Sequence, residues 1–419
     1  MITKIKPTLL FFIFLLLSLF QISLAQDGSY SPYSYYKFGD ETDMQNVFNS
    51  SMGHLNFYHD SIHFNFELPS SVADLQLVNY AAASAFDYYH LRSDEGTGKA
   101  GEFTVPYIIL GIPIGNKTGI GFGFTPYSTS AYLIFKEKET EKIAKTGEGG
   151  MNRVFITLGR KIVKGLNLGL SFNYYFGNKT ARFIHYKNDV YTITRQEDNS
   201  FYRGAGWMAS LNYNYNFRSK NFFSAALIYR LNTSIESQNI STLELSDNSY
   251  GSERIIKSIT LREDTTTLIL PASLSLGAGV GKKKKWFLGM EWQTDFWNLY
   301  TNDFFSAPFV TYRQSYTFKS GAYWLPDYRS HVKYYKRIIY QTGIYYNWGE
   351  LLIDSQPINE FGISFGLVLP MNYLFSNINL GIEYVERGKA GLLTTEEHIW
   401  KLKIGLSFND KWFVKRKIY

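Results

Sequence analysis

Along most of the chain apolar and polar positions alternate. Leu166, Leu168, Leu170, Phe172, Tyr174 and Phe176 are separated by Asn167, Gly169, Ser171 and Asn173. Ala209, Leu211, Tyr213, Tyr215 and Phe217 interleave with Asn212, Asn214 and Asn216, and Trp286, Leu288, Met290, Trp292 and Phe296 with Gly289, Glu291, Gln293 and Asp295. Near the carboxyl end, Trp400, Leu402, Ile404, Leu406 and Phe408 alternate with Lys401, Lys403, Gly405 and Ser407. A period of two is that of a β-strand whose faces meet unlike surroundings. Fourteen such runs are predicted: 75–91, 102–114, 118–135, 150–163, 166–176, 204–217, 222–233, 266–280, 286–299, 315–325, 334–348, 358–369, 374–386 and 396–408.

The connections sort by parity. Even-numbered runs end in tight turns, such as Gly115-Asn116-Lys117, Lys164-Gly165 and Gly281 to Lys285. Most odd-numbered runs lead into longer polar stretches, 136–149, 177–203, 234–265 and 300–314, which read as loops. Short turns at one rim and long loops at the other are the layout of a transmembrane β-barrel, and a soluble sandwich has no reason to produce it. The expected fold is therefore all-β, a transmembrane antiparallel barrel of about 14 strands over residues 75–408. Backbone groups in lipid must all find partners, so such a sheet closes on itself. Lysines on the wet face of the last strand then need partners in the lumen, and Glu383, on the neighbouring run, is expected near Lys401 or Lys403.

Upstream, Lys4 and Lys6 precede an unbroken apolar run from Leu9 to Phe20, followed by Ser23-Leu24-Ala25. That is the pattern of a secretory signal peptide over residues 1–25, with the mature chain starting at Gln26; the apolar run is too short to span a bilayer as a helix. Residues 26–74 are polar, rich in tyrosine and serine, and without sustained period, and form an N-terminal periplasmic or hatch segment. Residues 409–419 make a basic periplasmic tail.

Composition sharpens this picture. The chain has no cysteine, so the exported protein is held by its core and its hydrogen-bond ladder without disulfides. It carries 33 tyrosines and 33 phenylalanines, an excess that suits aromatic girdles at membrane interfaces. The net charge of +7 is mild and dispersed, which argues against nucleic acid as a partner.

Three stretches resemble FadL-like outer-membrane transport proteins of bacteria with type IX secretion: SPYSYYKFGD (Ser31 to Asp40), GFGFTPYSTSAY (Gly121 to Tyr132), and the ending IEYVERGKAG with FNDKWFVKRKIY. Members often carry Asn-Pro-Ala-Ser in the hatch where this chain has Leu68-Pro69-Ser70-Ser71, and a glycine where it has Lys37. The resemblance implies a fourteen-stranded barrel with an N-terminal hatch in the outer membrane of a Gram-negative bacterium. It also implies passive uptake of hydrophobic or amphipathic small molecules.

The expected ligand-holding residues are Phe57, Phe64, Asn65, Phe66 and Pro69, the aromatics supplying burial and Asn65 and Pro69 the local bend. The other expected role is that of a non-catalytic accessory barrel in an outer-membrane export or barrel-assembly complex. Expected partners are outer-membrane lipid, a hydrophobic cargo and, for the second role, a large outer-membrane protein complex.

Other candidate chemistry is weak. His54, His59 and His63 beside Asp60 are metal-ligand types, but their spacing fits no established zinc motif and they read as hydrogen-bonded hatch residues. Lys282 to Lys285 read as a solvated turn. Gly119, Gly121 and Gly123 lack the following helix of a phosphate loop and read as room for bends or for the hatch. Glu291 and Asp295 point into the lumen without the Ser-His-Asp or Gly-x-Ser-x-Gly pattern of a hydrolase. No enzyme activity, cofactor or metal is expected.

Overall fold

The computed structural model describes residues 30–94, 96–137, 139–187, 190–217, 220–247, 254–304, 309–330, 332–371, 376–391 and 393–412. The expected signal peptide and most of the basic tail lie outside these residues.

Fourteen antiparallel strands form a closed ring. They are β1 (Val78–Ser93), β2 (Gly96–Ile114), β3 (Thr118–Thr129), β4 (Glu141–Val163), β5 (Leu166–Lys187), β6 (Thr192–Asn216) and β7 (Asn221–Arg230) in the first half. The second half consists of β8 (Ser273–Lys282), β9 (Trp286–Asp295), β10 (Ser315–Trp324), β11 (Ile339–Trp348), β12 (Glu360–Pro370), β13 (Asn377–Arg387) and β14 (Glu396–Asp410). Each pairs with its sequence neighbour, and β14 returns to β1 with Phe408 opposite Tyr80 and Glu396 opposite Arg92. Closure joins the last strand to the first and leaves the sheet no terminal edge strand, which is what a sheet needs in order to stand in a membrane.

The alternation maps onto two surfaces as its period demands. Trp400, Leu402, Ile404, Leu406 and Phe408 face outward and are exposed, whereas Lys403 and Ser407 are buried in the lumen. On β9, Trp286, Leu288, Met290 and Trp292 point out and Glu291 points in. Asn377, Asn379 and Glu383 of β13 are likewise buried inside. The skin is apolar and the bore polar, as in an outer-membrane barrel.

Among the described residues, three of the four expected long loops are mostly strand. β5 and β6 run as a ladder from Leu166↔Tyr213 up to Tyr186↔Ile193, taking in residues 177–186 and 193–203. Tyr132–Glu137 pairs with the start of β4, and Thr233–Asp247 with Arg254–Leu270 as a long hairpin. In these stretches polar side chains stand on both faces, so the apolar–polar period that marks a strand disappears while the backbone ladder persists. The predicted run 266–280 is also two pieces: Pro271, which has no N–H to give, lies between the hairpin ending at Leu270 and β8 starting at Ser273. In the fourth stretch, Thr301–Asn302 pairs with the hairpin and Val310–Tyr312 with Leu351–Ile353, so it too is partly strand. Ion pairs such as Arg203–Glu236 and Arg182–Glu197 cross between the raised strands.

Candidate functional site

The bore is filled by residues 30–77. Ser31 caps a 3-10 turn (Pro32–Tyr35), its hydroxyl accepting from Tyr33 N–H. Asn46 caps the one-turn helix α1 (Val47–Ser50), its side chain accepting from Asn49 N–H at 2.8 Å. Pro69 opens a second 3-10 turn (Pro69–Asp74), where its fixed φ and missing N–H cost nothing. Between them the chain is held by its own amides. Asn49 donates to the carbonyls of Leu55 and Tyr58, and Asn65 donates to those of Asn56 and Tyr58 while accepting from Glu67 N–H.

Charged side chains then tie this plug to the wall. The Glu67 carboxylate lies 2.6 Å from Arg153 on β4 and 2.6 Å from Arg230 on β7. Burial alone would push the Glu67 carboxyl up, but the two guanidinium groups overcome it and hold it below the usual range. Glu291 on β9 accepts from the backbone N–H groups of Asn56 and Phe57 and pairs with Lys319 on β10. Asp43 meets Lys401 and Lys403, which with His54 hold its carboxyl well below the usual range against the effect of burial. Lys37, in the position noted above, pairs with Glu350 at 2.5 Å and lies over the Trp297 ring. Asp40 pairs with Arg387 on β13.

The predicted partner of Glu383 is present: its carboxylate is 2.7 Å from Lys403, while Lys401, directly opposite it in register, turns to Asp43.

The wall is carved to fit the plug. Glycines lie opposite one another across the ladders: Gly111 and Gly121, Gly159 and Gly169, Gly289 and Gly321, Gly321 and Gly343, Gly366 and Gly381. A β-carbon at Gly121 would fall 2.2 Å from the Phe64 ring, and one at Gly277 2.3 Å from the Phe57 ring. At Gly321 and Gly343 it would meet plug backbone, 2.0 Å from Met52 O and 2.0 Å from Gly53 N. The glycines admit a close approach, and the plug occupies the space they leave. The reading of Gly119 and Gly121 as room for the hatch agrees with this, since they abut Val72 and Phe64; Gly123 instead receives the Phe155 ring from the wall itself.

Among the described residues the wall has one seam. β2 and β3 pair from Ile114↔Thr118 to Ile108↔Phe124, and above that level β3 continues against β4 while β2 continues against β1. The plug patches the opening: Asp40 and Glu41 pair with Thr129 and Ser128, and Thr42 donates to the carbonyls of Tyr127 and Pro126. Behind the patch lies a cavity of about 120 Å³, its lining including the acids Glu41, Asp87 and Glu102 and the bases Arg387, Lys401 and Lys403. Burial raises the Glu41 carboxyl to about 7. Charged and confined, this space suits water and ions better than hydrocarbon.

All five residues expected to hold a ligand lie in the plug: Phe57, Phe64, Asn65, Phe66 and Pro69 are buried. They do not line one pocket. Phe57 packs with Phe287 against β8 and β9, whereas Phe64 and Phe66 pack with Phe155 on the other side. Phe57 and Pro69 contact wall glycines, and Asn65 is used up in bracing the plug.

The histidines also separate. His54 contacts Glu383, His59 meets Asp74, and His63 pairs with Asp60 and lies 2.8 Å from the Asn377 side chain on β13. Asp43, His54 and Glu383 bring ligand-type atoms within 4.8 Å of one another. Lys403 supplies the positive charge between the two carboxylates, so the group works as an ion-pair cluster. Sequence reasoning missed Arg153, Arg230, Asp43 and Arg387, because lone charges in a strand or loop carry no sign of partners far along the chain.

No curated protein matches the chain. Among solved structures it resembles the CymD monoaromatic hydrocarbon channel, with 11% identity, a TM-score of 0.59, and coverage of 90% of this chain and 99% of that one. It also resembles a FadL homologue of Pseudomonas aeruginosa (10% identity, TM-score 0.60, 88% and 99% covered) and the toluene transporter TodX of Pseudomonas putida (12%, 0.60, 89% and 98%). At these identities the likeness establishes the fold, that of the FadL-type outer-membrane barrel. The family model of BamG matches residues 1–419 from end to end, and the chain belongs to the BamG family.

Proposed function

We propose that the protein is a non-catalytic, plug-sealed barrel subunit of the outer-membrane β-barrel assembly machine. The observation that carries this reading is the fit of plug to wall. Buried ion pairs bind the plug on several sides of the ring, and glycines receive its side chains and backbone, so the bore offers a rigid filling in place of an apolar passage. The family name BamG supports the same reading. The subunit would act through its outer wall and its raised strands. Affinity purification from gently solubilised outer membranes tests this: the expected result is a stoichiometric complex containing a large barrel-assembly protein. Recovery of the protein alone, or with export subunits instead, contradicts it.

A second reading, passive uptake of hydrophobic or amphipathic small molecules, is favoured by the seam between β2 and β3 and by the fold shared with hydrocarbon channels. In that role Phe57, Phe64, Asn65, Phe66 and Pro69 would hold the cargo after rearranging. Uptake of labelled fatty acids or alkanes by proteoliposomes, above that of protein-free vesicles, would establish it. The carboxylates lining the cavity behind the seam weigh against it.

A further inference from the structure

We propose that the lipid-facing wall of β7, β8 and β9, with the lysine turn beneath it, binds one anionic glycerophospholipid of the periplasmic leaflet. Small side chains make a depression in this wall. Ala278 on β8 lies opposite Ala225 on β7 and Met290 on β9, with the row Leu227, Leu276 and Trp292 above. The row Phe223, Val280 and Leu288 lies below it, and the groove so formed measures about 760 Å³. An apolar groove in a barrel skin would take any acyl chain; its lower end distinguishes this one.

Two residues past Val280 the chain enters the turn Lys282 to Lys285, and the N–H of Lys283 donates to the carbonyl of Lys220 in the adjoining β6–β7 turn at 3.1 Å. Lys220, Lys283, Lys284 and Lys285 are exposed, and none forms an ion pair with a described residue. The Lys284 ammonium lies 4.5 Å over the Tyr328 ring. Beside the turn, Trp286 and Trp324 face each other across β9 and β10, exposed at the level where indole rings mark the membrane interface. An acyl chain in the groove therefore places its phosphate among four ammonium groups with no competing carboxylate in either turn. This site is independent of the assembly role proposed above.

The test titrates the whole detergent-purified protein with dioleoyl-phosphatidylglycerol and with dioleoyl-phosphatidylcholine of identical chains, counting bound lipids by native mass spectrometry. One phosphatidylglycerol is expected to remain bound at concentrations where phosphatidylcholine does not. Lys283→Gln with Lys284→Gln and Lys285→Gln should weaken that binding on the order of a hundredfold, about fivefold for each lysine near a membrane surface. The same charge loss in the raised strands, Lys99→Gln with Lys187→Gln and Lys257→Gln, should leave it unchanged. Ala278→Phe should weaken both lipids by filling the groove. Heat-modifiable gel mobility confirms that each variant is folded. Equal binding of the two lipids, or retention of phosphatidylglycerol by the turn variant, overturns the proposal. So does cross-linking of Lys284 to an acidic protein in a wild type that shows no preference between the lipids.

Discussion

The Glu67 carboxylate of the plug lies 2.6 Å from the Arg153 guanidinium of β4, whose side chain is wholly sealed from solvent. A second guanidinium, Arg230, holds the other carboxylate oxygen. Removing one partner of a buried pair leaves the other charged and unsolvated, which typically costs about 3–5 kcal/mol. Glu67→Ala should therefore lower the denaturant midpoint of the detergent-solubilised barrel and open the plug to limited proteolysis. An unchanged midpoint would show that the pair does not hold the plug.

Gly121 and Phe64 test the carved fit. Gly121→Val drives a branched side chain into the Phe64 ring, and overpacking of this kind costs about 1–3 kcal/mol. Phe64→Ala on its own leaves a cavity. Combined, the two should recover part of the loss, and a double-mutant cycle reads the coupling. Simple additivity would mean that the glycine serves some purpose other than admitting the plug.

Leu402 faces lipid and Lys403, one position on, faces the lumen. Leu402→Arg should destabilise insertion by about 2–4 kcal/mol near the bilayer midplane. Lys403→Met should act by a different route, removing the cation that Asp43 and Glu383 share and leaving them only Lys401 and His54, and should loosen the plug without hindering insertion. Folding into phospholipid vesicles measures the first, and proteolysis of the plug in the inserted barrel measures the second. Reversed effects would contradict the assigned faces.

The plug should also respond to pH from both sides. Glu67 and Asp43 have carboxyls held below their usual range, so their contributions are present above the unfolded value of about 4 and are lost as pH falls through the folded one. His63 is opposed by burial yet raised by Asp60, so its contribution is present below about 6.5 and is lost as pH rises through its folded value. Hydrogen exchange of the plug, corrected for intrinsic rate, should be slowest between these limits. Glu67→Gln should flatten the acid limb, and His63→Asn part of the other, the rest coming from Glu41, whose carboxyl burial raises to about 7. Protection that rises steadily with pH would refute the His63 assignment.

The wall was legible because lipid and water impose opposite demands on alternate residues, and that contrast is written directly in Leu166 to Phe176 and Trp400 to Phe408. Where the contrast ends, so does the signal: residues 177–187 and 192–203 form strand but read as loop, since polar side chains stand on both faces there. Glu383 and Lys403 could be paired from sequence because neighbouring strands share a register. Glu67 and Arg153 could not, because the plug has no period and its partners lie on strands chosen by three-dimensional fit. The glycine ring stands between these cases. Gly119 and Gly121 looked like space left for the hatch, but the pairing of Gly289 with Gly321 and of Gly321 with Gly343 emerges only once the ladders are aligned.

Steady conductance across a planar lipid bilayer addresses the sealed bore most directly. The intact protein should insert and pass no sustained ion current, whereas deletion of residues 30–74 should give a stable open pore of uniform size. A sustained current through the intact barrel, equal to that of the deletion variant, would contradict a plug fixed to its wall by Glu67, Asp43 and the glycine ring.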